Sequence, residues 1–305
     1  MVDKRYICQI LPFALFAVIF VASSIPIFLS KASGLQDDDG GSLGYTILAS
    51  DTLYADGRGA KEPYINLTMI MAQVNPNNLM VTTTTSVHGV SAGLVNATTG
   101  QLTKTVRIHI DSTLLSLSNK SPTTGAPTSA TSFLSDGTVA WYPIDTYQAG
   151  IEVRAHTGDS PFGGVDNAEI GLNVNVFQHE DFEWNYYDTR IERSNNTKKI
   201  VLMFSVRRDF NVYTGLVFIG IWAVTFAIAY IGSMAVIWKR RAPDNPVIFI
   251  SALFAVPAFR NTCPGSPPYG VLFDVICTYF AIAVICTFLV LVSIAYMRKP
   301  KQPSP

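Results

Sequence analysis

The chain has 305 residues, enough for one sizeable domain and several membrane spans, and its 22 basic and 22 acidic residues cancel to zero net charge. The distribution is uneven, because residues 30–211 contain 13 Lys and Arg against 19 Asp and Glu, a net charge of −6. Nucleic-acid-binding domains present a basic face, so this acidic central region argues against nucleic acid as a partner. Long uncharged runs occupy both ends of the chain.

The N-terminal segment is predicted to cross a membrane once. Residues 7–29 carry no charge, and at about 1.5 Å per residue this run spans a hydrocarbon core of roughly 30 Å. Lys4 and Arg5 precede it, which places residues 1–6 in the cytoplasm because basic residues are enriched on cytoplasmic flanks. A cleavable signal peptide is the alternative, and it also places the following residues outside the cytoplasm. Residues 30–44 are polar and rich in Asp and Gly, which predicts a flexible linker.

Residues 45–211 are predicted to form an antiparallel β-sandwich outside the cytoplasm. Apolar residues alternate with polar or small ones in short runs, as at Ile170, Leu172, Val174 and Val176, and this period of two is typical of half-buried strands. Clusters rich in Pro, Asn and Gly separate the runs, so eight or nine strands are expected. The region contains no cysteine, so it must fold without disulfides.

Four N-x-Ser/Thr sequons lie in this region and agree with a location outside the cytoplasm. They are candidate glycosylation sites at Asn66, Asn96, Asn119 and Asn195. The sequence predicts no catalytic centre, metal site or cofactor-binding motif. The densest polar segment, 179–184, holds three carboxylates beside an imidazole, and a hydrophilic turn between two strands is preferred there to a divalent cation site.

The C-terminal part is predicted to cross the membrane three times. Residues 212–238 and 275–297 are uncharged runs long enough to span a bilayer, whereas 247–259 is short. Basic residues follow both long runs, and both basic flanks can be cytoplasmic only if the short run crosses outward between them. The prediction is therefore four spans with both termini cytoplasmic, a rigid outer loop at 260–274 and a cytoplasmic tail at 298–305.

The loop at 260–274 combines two charges with residues that cannot continue a helix. Its prolines and glycines stiffen a hairpin between the last two spans. Arg260 and Asp274 bracket the loop at the membrane boundary, where an unpaired charge is costly. These two residues are therefore predicted to pair.

Two motifs resemble an uncharacterised membrane family, the domain of unknown function DUF4436, which occurs in actinobacteria and fungi. The first motif consists of Arg260, Asn261, Pro264, Gly265, Pro267, Pro268 and Gly270, followed by Asp274. The second consists of Tyr142, Pro143 and Asp145. This sequence has Ile144 where an aromatic residue is expected and Cys263 where an aliphatic one is usual. The resemblance covers about residues 51–297 and implies an architecture without an activity.

Both motifs are rigid and rimmed by aromatic residues, so residues 142–145 are predicted to dock on the loop at 260–274. The preferred function is a non-enzymatic binding or accessory module, with the lipid bilayer and a membrane or extracytoplasmic protein as partners and no cofactor. A membrane hydrolase or lipid-modifying enzyme is one alternative, although no residue set can be named for it. A channel or receptor is the other, because residues 142–145 are similar to the Phe-Pro-x-Asp element of pentameric ligand-gated channels. Those channels place four helices after the sandwich, where this sequence has three.

Overall fold

The computed structural model describes Ala22, Pro26 and residues 45–54, 62–119, 122–158, 168–179, 183–194, 198–209, 211–240 and 245–298. Apart from the helical Ala22 and Pro26, the predicted first membrane helix at 7–29 lies outside the described residues. The linker at 30–44 and the tail beyond Arg298 lie outside them too. The described part has a mixed α+β fold, in which a nearly closed β-sheet precedes apolar helices.

The β-rich part, called the β-domain below, contains ten strands within the described residues. They are β1 (Tyr45–Asp51), β2 (Tyr64–Asn75), β3 (Met80–Val90), β4 (Val106–Ile110), β5 (Thr113–Leu117), β6 (Thr128–Gly137), β7 (Thr146–Thr157), β8 (Gly171–His179), β9 (Trp184–Arg193) and β10 (Ile200–Arg208). A short 3₁₀ turn at Val139–Trp141 lies between β6 and β7.

The strands form one curved sheet in the order β1-β8-β2-β3-β6-β7-β10-β9, with β4 and β5 added beside β7. The two ends of the sheet meet, since Arg193 on β9 forms an ion pair with Asp51 on β1. Among the described strands, all pairs are antiparallel except β2 and β8, which run parallel. The predicted combination of a β-rich domain with helices, an α+β fold, is confirmed. Where an antiparallel sandwich of eight or nine strands was predicted, the described residues form ten strands in one nearly closed sheet with one parallel pair. Alternation identifies the buried face of a strand and leaves the direction of its neighbours open.

The core of the β-domain lies inside the curved sheet. Ile170, Leu172, Val174 and Val176 are all buried, as their alternation predicted. Inward-facing residues of the other strands complete this core, including Ile65, Leu67, Met69, Val81, Val106, Ile108, Ile151, Val153, Ile200, Leu202 and Val206. Burial of a large apolar side chain contributes about 1.5–3 kcal/mol, so this core explains how the domain folds without disulfides.

Three α-helices follow within the described residues: α1 (Val212–Val236), α2 (Val247–Asn261) and α3 (Tyr279–Met297), the last preceded by a π-helical turn at Asp274–Thr278. The Asn211 side chain caps α1 by accepting a hydrogen bond from the Tyr213 amide at 2.8 Å. By length and composition, Val212–Val236 and Asp274–Met297 could each cross a membrane, whereas Val247–Asn261 is apolar but shorter.

The helices pack around a second apolar cluster, separate from the core of the β-domain. It includes Val217, Ile221, Phe249, Val256, Phe273, Ala281 and Ile285. Tyr142, which lies between β6 and β7, belongs to this helical cluster and not to the core of its own domain.

Candidate functional site at the junction of the β-domain and the helices

Arg208 ends β10 shortly before α1 begins, and its side chain is only 4% exposed. Its Nε donates to Asp145 Oδ1 at 2.8 Å, and its Nη2 donates to Oδ2 of the same carboxylate at 3.2 Å. Asp145 is fully buried and lies directly before β7, so this pair connects two neighbouring strands at the end nearest α1. The remaining guanidinium nitrogen, Nη1, donates to Glu183 Oε1 at 2.6 Å.

Two aromatic rings lie against the Arg208 guanidinium. The centroid of the Trp184 ring is 4.3 Å from Arg208 Cζ and that of Tyr142 is 5.0 Å away, which are cation–π distances. Burial alone would lower the pKa of Arg208, but the hydrogen bonds and charge of Asp145, followed by the charge of Glu183, raise it above its ordinary value. Below, the junction cluster means Tyr142, Asp145, Glu183, Trp184 and Arg208.

Tyr147 completes the surroundings of Asp145. Its hydroxyl donates to Asp145 Oδ2 at 2.9 Å, and its side chain is fully buried. Burial raises the pKa of Tyr147, and the neighbouring carboxylate raises it further. The Asp145 carboxylate therefore accepts hydrogen bonds from both Arg208 and Tyr147, which compensates for burial of its charge.

Tyr142 is a residue of the β-domain whose side chain packs in the apolar core of the helices. Its ring meets Phe273 edge to face, with the ring centroids 6.3 Å apart. Its hydroxyl donates to the carbonyl of Pro264 at 3.1 Å and lies 3.4 Å from Thr214 Oγ1 in the first turn of α1. Burial is the largest influence on Tyr142 and raises its pKa to about 12. The predicted docking of residues 142–145 on the loop after α2 is therefore confirmed at Tyr142.

A second buried pair organises that loop. Arg260, in the last turn of α2, donates from Nε to Asp274 Oδ1 at 2.8 Å and from Nη2 to Oδ2 at 2.9 Å. The same guanidinium donates to the carbonyls of Pro267 at 2.8 Å and Pro268 at 2.7 Å. It also lies 4.4 Å from the centroid of the Tyr269 ring. The predicted contact between Arg260 and Asp274 is confirmed, and both side chains are buried.

Two glycines allow the loop to fold in this way. Gly270 has a φ of 98°, and its amide donates to Asp274 Oδ2 at 2.9 Å. Gly265 has a φ of 74°, a backbone conformation that disfavours side chains. A Cβ at Gly265 would also lie 2.8 Å from Arg208 Nη1 and 3.0 Å from Glu183 Oε1. The loop therefore lies directly against the junction cluster, so the two buried pairs are connected through one short segment.

Comparison with known families divides the chain at this junction. Residues 54–203 match the model of a family described as a domain of unknown function (DUF4436). This match spans most of the β-domain, and residues 54–203 are called the DUF4436 domain below. Residues 207–299 match a second model, also described as a domain of unknown function (DUF8686). The resemblance to DUF4436 is confirmed for residues 54–203, which contain the motif at 142–145. The motif at 260–274, predicted to belong to the same family, lies in the stretch matched by DUF8686, so the expected match over about 51–297 is shared by two models. No curated protein matches the chain.

The junction cluster includes residues from both matched regions. Tyr142, Asp145, Glu183 and Trp184 belong to the DUF4436 domain, whereas Arg208 belongs to the region matched by DUF8686. The loop that contacts the cluster also lies in the DUF8686 region. The buried contacts therefore join the DUF4436 domain to the helices.

The other residues of the two motifs have simpler surroundings. Asn261 accepts a hydrogen bond from the Tyr269 hydroxyl at 2.6 Å on an exposed part of the loop. The peptide bond between Tyr142 and Pro143 is cis. Pro267 and Pro268 contribute through their carbonyl groups, which accept hydrogen bonds from Arg260.

The sequons occupy different kinds of position. Asn66 lies within β2 of the DUF4436 domain, whereas Asn96 and Asn119 lie in exposed turns or loops. Asn195 lies outside the described residues.

Sequence analysis missed Arg208, Glu183 and Trp184. The segment at 179–184 is predicted to be a hydrophilic turn. Its residues 180–182 lie outside the described residues, and Glu183 near its end is a partner of Arg208. The position of Arg208 in the sequence is itself a signal, because it ends an apolar strand just before an uncharged helix. A basic residue that is buried in such a place needs a carboxylate partner. Asp145 in the second motif carries that opposite charge.

Chemically, the site holds two buried ion pairs in fixed positions. The carboxylates of Asp145 and Asp274 are each engaged by a guanidinium. Among the described residues, no group of three or more His, Cys, Asp or Glu is placed to hold a metal ion. The arrangement suits mechanical coupling, because removing one partner of a buried pair leaves the other charge stranded at a cost of about 3–5 kcal/mol.

Proposed function

We propose that the protein is a non-enzymatic, multi-pass membrane module whose DUF4436 domain binds a partner protein outside the cytoplasm while fixed to the membrane helices. The observation that carries this proposal is the position of Tyr142, a residue of the DUF4436 domain that is buried in the helical core. The ion pair of Asp145 with Arg208 fixes the same segment to the strand that leads into α1. A rigid attachment of this kind suits an accessory subunit that presents its binding domain at a set height above the bilayer.

The surface of the helices supports their placement in a lipid bilayer. Large apolar side chains point outward on all three described helices, with exposed fractions of 64% for Phe226, 73% for Phe254 and 57% for Val290. A wide apolar surface of this kind is unfavourable in water and is matched by lipid tails. The lipid bilayer is therefore the first partner of the proposed module.

Aromatic residues lie at both ends of the helices. Trp141 and Tyr269 are 59% and 60% exposed at the end that carries the DUF4436 domain. Trp238 and Tyr296 are 54% and 45% exposed at the opposite end. Because Trp and Tyr concentrate at the headgroup level of membranes, these residues support a bilayer between the two ends.

The path of the chain supports three crossings in this part of the protein. The Tyr142 hydroxyl lies close to both Thr214, at the start of α1, and Pro264, just after α2. Helix α2 therefore returns to the end from which α1 departs, and α3 departs again. Basic residues follow α1 and α3, which favours a cytoplasmic location for that far end. Together with the predicted span at 7–29, this gives four spans with both termini cytoplasmic and residues 30–211 outside.

A receptor or channel is the second candidate function, and one observation favours it. The element at 142–145, similar to an element of pentameric ligand-gated channels, is the segment that contacts both α1 and the loop after α2. In such a protein, a ligand bound to the outer domain would shift the helices through this contact.

Gentle solubilisation of native membranes tests the proposed function. We expect the chain to elute well above the mass of one 33.3 kDa chain with its detergent, together with other proteins in a defined ratio. Joint replacement of Tyr142 and Asp145 by Ala should change this profile, whereas Trp141→Ala, at an exposed neighbouring position, should not. A monomer without partners would contradict the accessory role. A ligand-gated current from the purified protein in liposomes would favour the receptor or channel.

A further inference from the structure

A groove runs across the outer face of the sheet and is formed by residues outside the junction cluster. It has a volume of about 670 Å³ and is lined by residues on or next to β1, β8, β2 and β3. This volume is typical of pockets for small ligands. Its floor consists of three residue pairs across β2 and β8, namely Asn66 beside Asn173, Thr68 beside Asn175, and Ile70 beside Phe177.

The groove is polar at one end and apolar at the other, without a fixed charge. The first two pairs supply amide and hydroxyl groups, and the third pair supplies an apolar surface from Ile70 and Phe177. The described side chains that line the groove include no Asp, Glu, Lys or Arg. Amides and hydroxyls pair with the hydroxyl groups of a sugar, while an aromatic ring packs against its C–H face. The lining therefore suits a neutral ligand with many hydroxyl groups.

The amides of the groove are held in place by their neighbours. Asn173 is buried, donates from Nδ2 to Asn66 Oδ1 at 3.0 Å and accepts from the Tyr54 amide at 3.1 Å. The Ser50 hydroxyl donates to Asn175 Oδ1 at 2.6 Å. Among the described residues, the Nδ2 groups of Asn66 and Asn175 have no hydrogen-bond partner. Two oriented donors are thus available to a ligand, which reduces the ordering cost of binding.

We propose that this groove binds a neutral saccharide, from one of two sources. One source is a free sugar, and the other is an N-linked glycan on Asn66, whose sequon places both Asn66 and Thr68 in the groove. Gly89, the cross-strand neighbour of Asn66, leaves room for the linkage, since a Cβ there would lie 4.0 Å from Asn66 Nδ2.

Attachment of a glycan requires an oligosaccharyl diphosphate donor and a transferase. Asn66 Nδ2 forms a bond to C1 of the sugar, the C1–O bond breaks, the diphosphate leaves with its electron pair, and the amide nitrogen loses one proton. The proposal of a glycan on Asn66 rests on the proposed location of the DUF4436 domain outside the cytoplasm. The proposal that the groove binds a free sugar does not.

The attached source is tested on the full chain produced in a host with N-glycosylation. Peptide mass spectrometry should find a glycan on Asn66. N-glycosidase should remove it more slowly from the folded protein than from the unfolded protein, because the groove covers the linkage. Phe177→Ala should speed removal from the folded protein, whereas Phe133→Ala, at a position 71% exposed on β6, should not.

The free source is tested on the full chain produced in a host without N-glycosylation. Chitobiose and mannotriose are titrated as neutral saccharides, with a sulfated disaccharide and a neutral peptide as comparisons. We expect a neutral saccharide to bind, and Asn175→Ala or Phe177→Ala to weaken binding by about tenfold. The matched controls Asn78→Ala and Phe133→Ala, at exposed positions outside the groove, should leave binding unchanged.

A positive result from either source supports the saccharide groove. The proposal is overturned if Asn66 carries no protected glycan and the folded, unglycosylated protein binds no neutral saccharide. Binding of the sulfated sugar or the peptide in preference to the neutral saccharides would overturn it as well. Cysteine labelling, described below, reports the location of the DUF4436 domain separately, so a failure of the groove is distinguishable from a failure of the proposed topology.

Discussion

Arg208 and Asp145 form a two-point ion pair at the end of β10, with side chains that are 4% and 0% exposed. Water cannot replace either partner at this depth, so each charge depends on the other. The pair forms only when β10 and the segment before β7 are both in place, and Tyr142 in that segment is buried among the helices. Folding of the DUF4436 domain and its attachment to the helices are therefore linked at one pair of residues.

Breaking this pair is expected to destabilise the protein strongly. Asp145→Asn leaves the buried charge of Arg208 with only the more exposed Glu183 as a carboxylate partner, and we expect the free energy of unfolding to fall by about 3 kcal/mol. The matched control is Glu192→Gln, which removes an exposed pair with Arg190 at 3.7 Å and should cost less than about 1 kcal/mol. Denaturant unfolding of the purified protein measures both changes. Equally small losses would contradict the dependence of Arg208 on Asp145.

Stability is expected to fall at alkaline pH, because Tyr142 must remain protonated in the helical core. Its pKa is about 12 in the folded protein against an ordinary 10.0, so its contribution is fully present below pH 10 and is lost as the pH rises through about 12. Tyr147, whose pKa is also raised by burial, acts in the same direction.

Tyr142→Phe separates the contribution of Tyr142 to the alkaline loss of stability from that of Tyr147. The variant loses the hydrogen bond to the Pro264 carbonyl, which should cost about 1 kcal/mol at neutral pH. It should then lose less stability than the native protein between pH 10 and 12, because one ionisable group is gone. Thermal melts across this pH range measure the difference, and identical pH slopes for the two proteins would contradict it.

Arg260 is expected to matter more than Asp274 for the stability of the loop. Arg260→Ala removes the donors to Asp274 and to the carbonyls of Pro267 and Pro268, whereas Asp274→Ala leaves the two carbonyl contacts in place. The exchange of Arg260→Asp with Asp274→Arg restores opposite charges without those contacts, so it should recover part of the lost stability. Thermal stability in detergent measures the single and double variants. A double variant as unstable as the sum of the singles would show that the pair is not coupled.

The pairing of Arg260 with Asp274 was predictable because both residues bracket one short, rigid loop. The buried faces of the strands were predictable too, since alternation at Ile170 and Leu172 reports burial directly. The pair of Arg208 with Asp145 was not, because 63 residues separate the partners and a sequence pattern does not report contacts over that distance.

The parallel pairing of β2 with β8 was missed for a related reason. Periodicity is a local property, whereas β8 pairs with β2, a strand that lies far from it in the sequence. The groove was invisible in the sequence because its floor alternates residues of two distant strands, such as Asn66 and Asn173. Each strand by itself shows polar residues and one apolar residue on this part of its outer face, with Ile70 on β2 and Phe177 on β8.

The proposed topology is tested by cysteine labelling in a background without native cysteines. Ser266→Cys lies in the exposed loop next to the DUF4436 domain and should react with an impermeant maleimide on intact cells. Asp244→Cys, in the connection between α1 and α2, should react only after the membrane is opened. Labelling at Asp244→Cys and not at Ser266→Cys would place the loop inside and reverse the proposed orientation.

The proposed function requires that the DUF4436 domain and the helices form one rigid body. Pulsed electron paramagnetic resonance between spin labels at Ser129→Cys on β6 and Trp238→Cys after α1 measures it in nanodiscs. We predict a narrow distance distribution in the otherwise native protein and after Trp141→Ala, and a broad one after Tyr142→Ala. A broad distribution without further substitution, or a narrow one that Tyr142→Ala leaves unchanged, would contradict rigid attachment through the junction cluster.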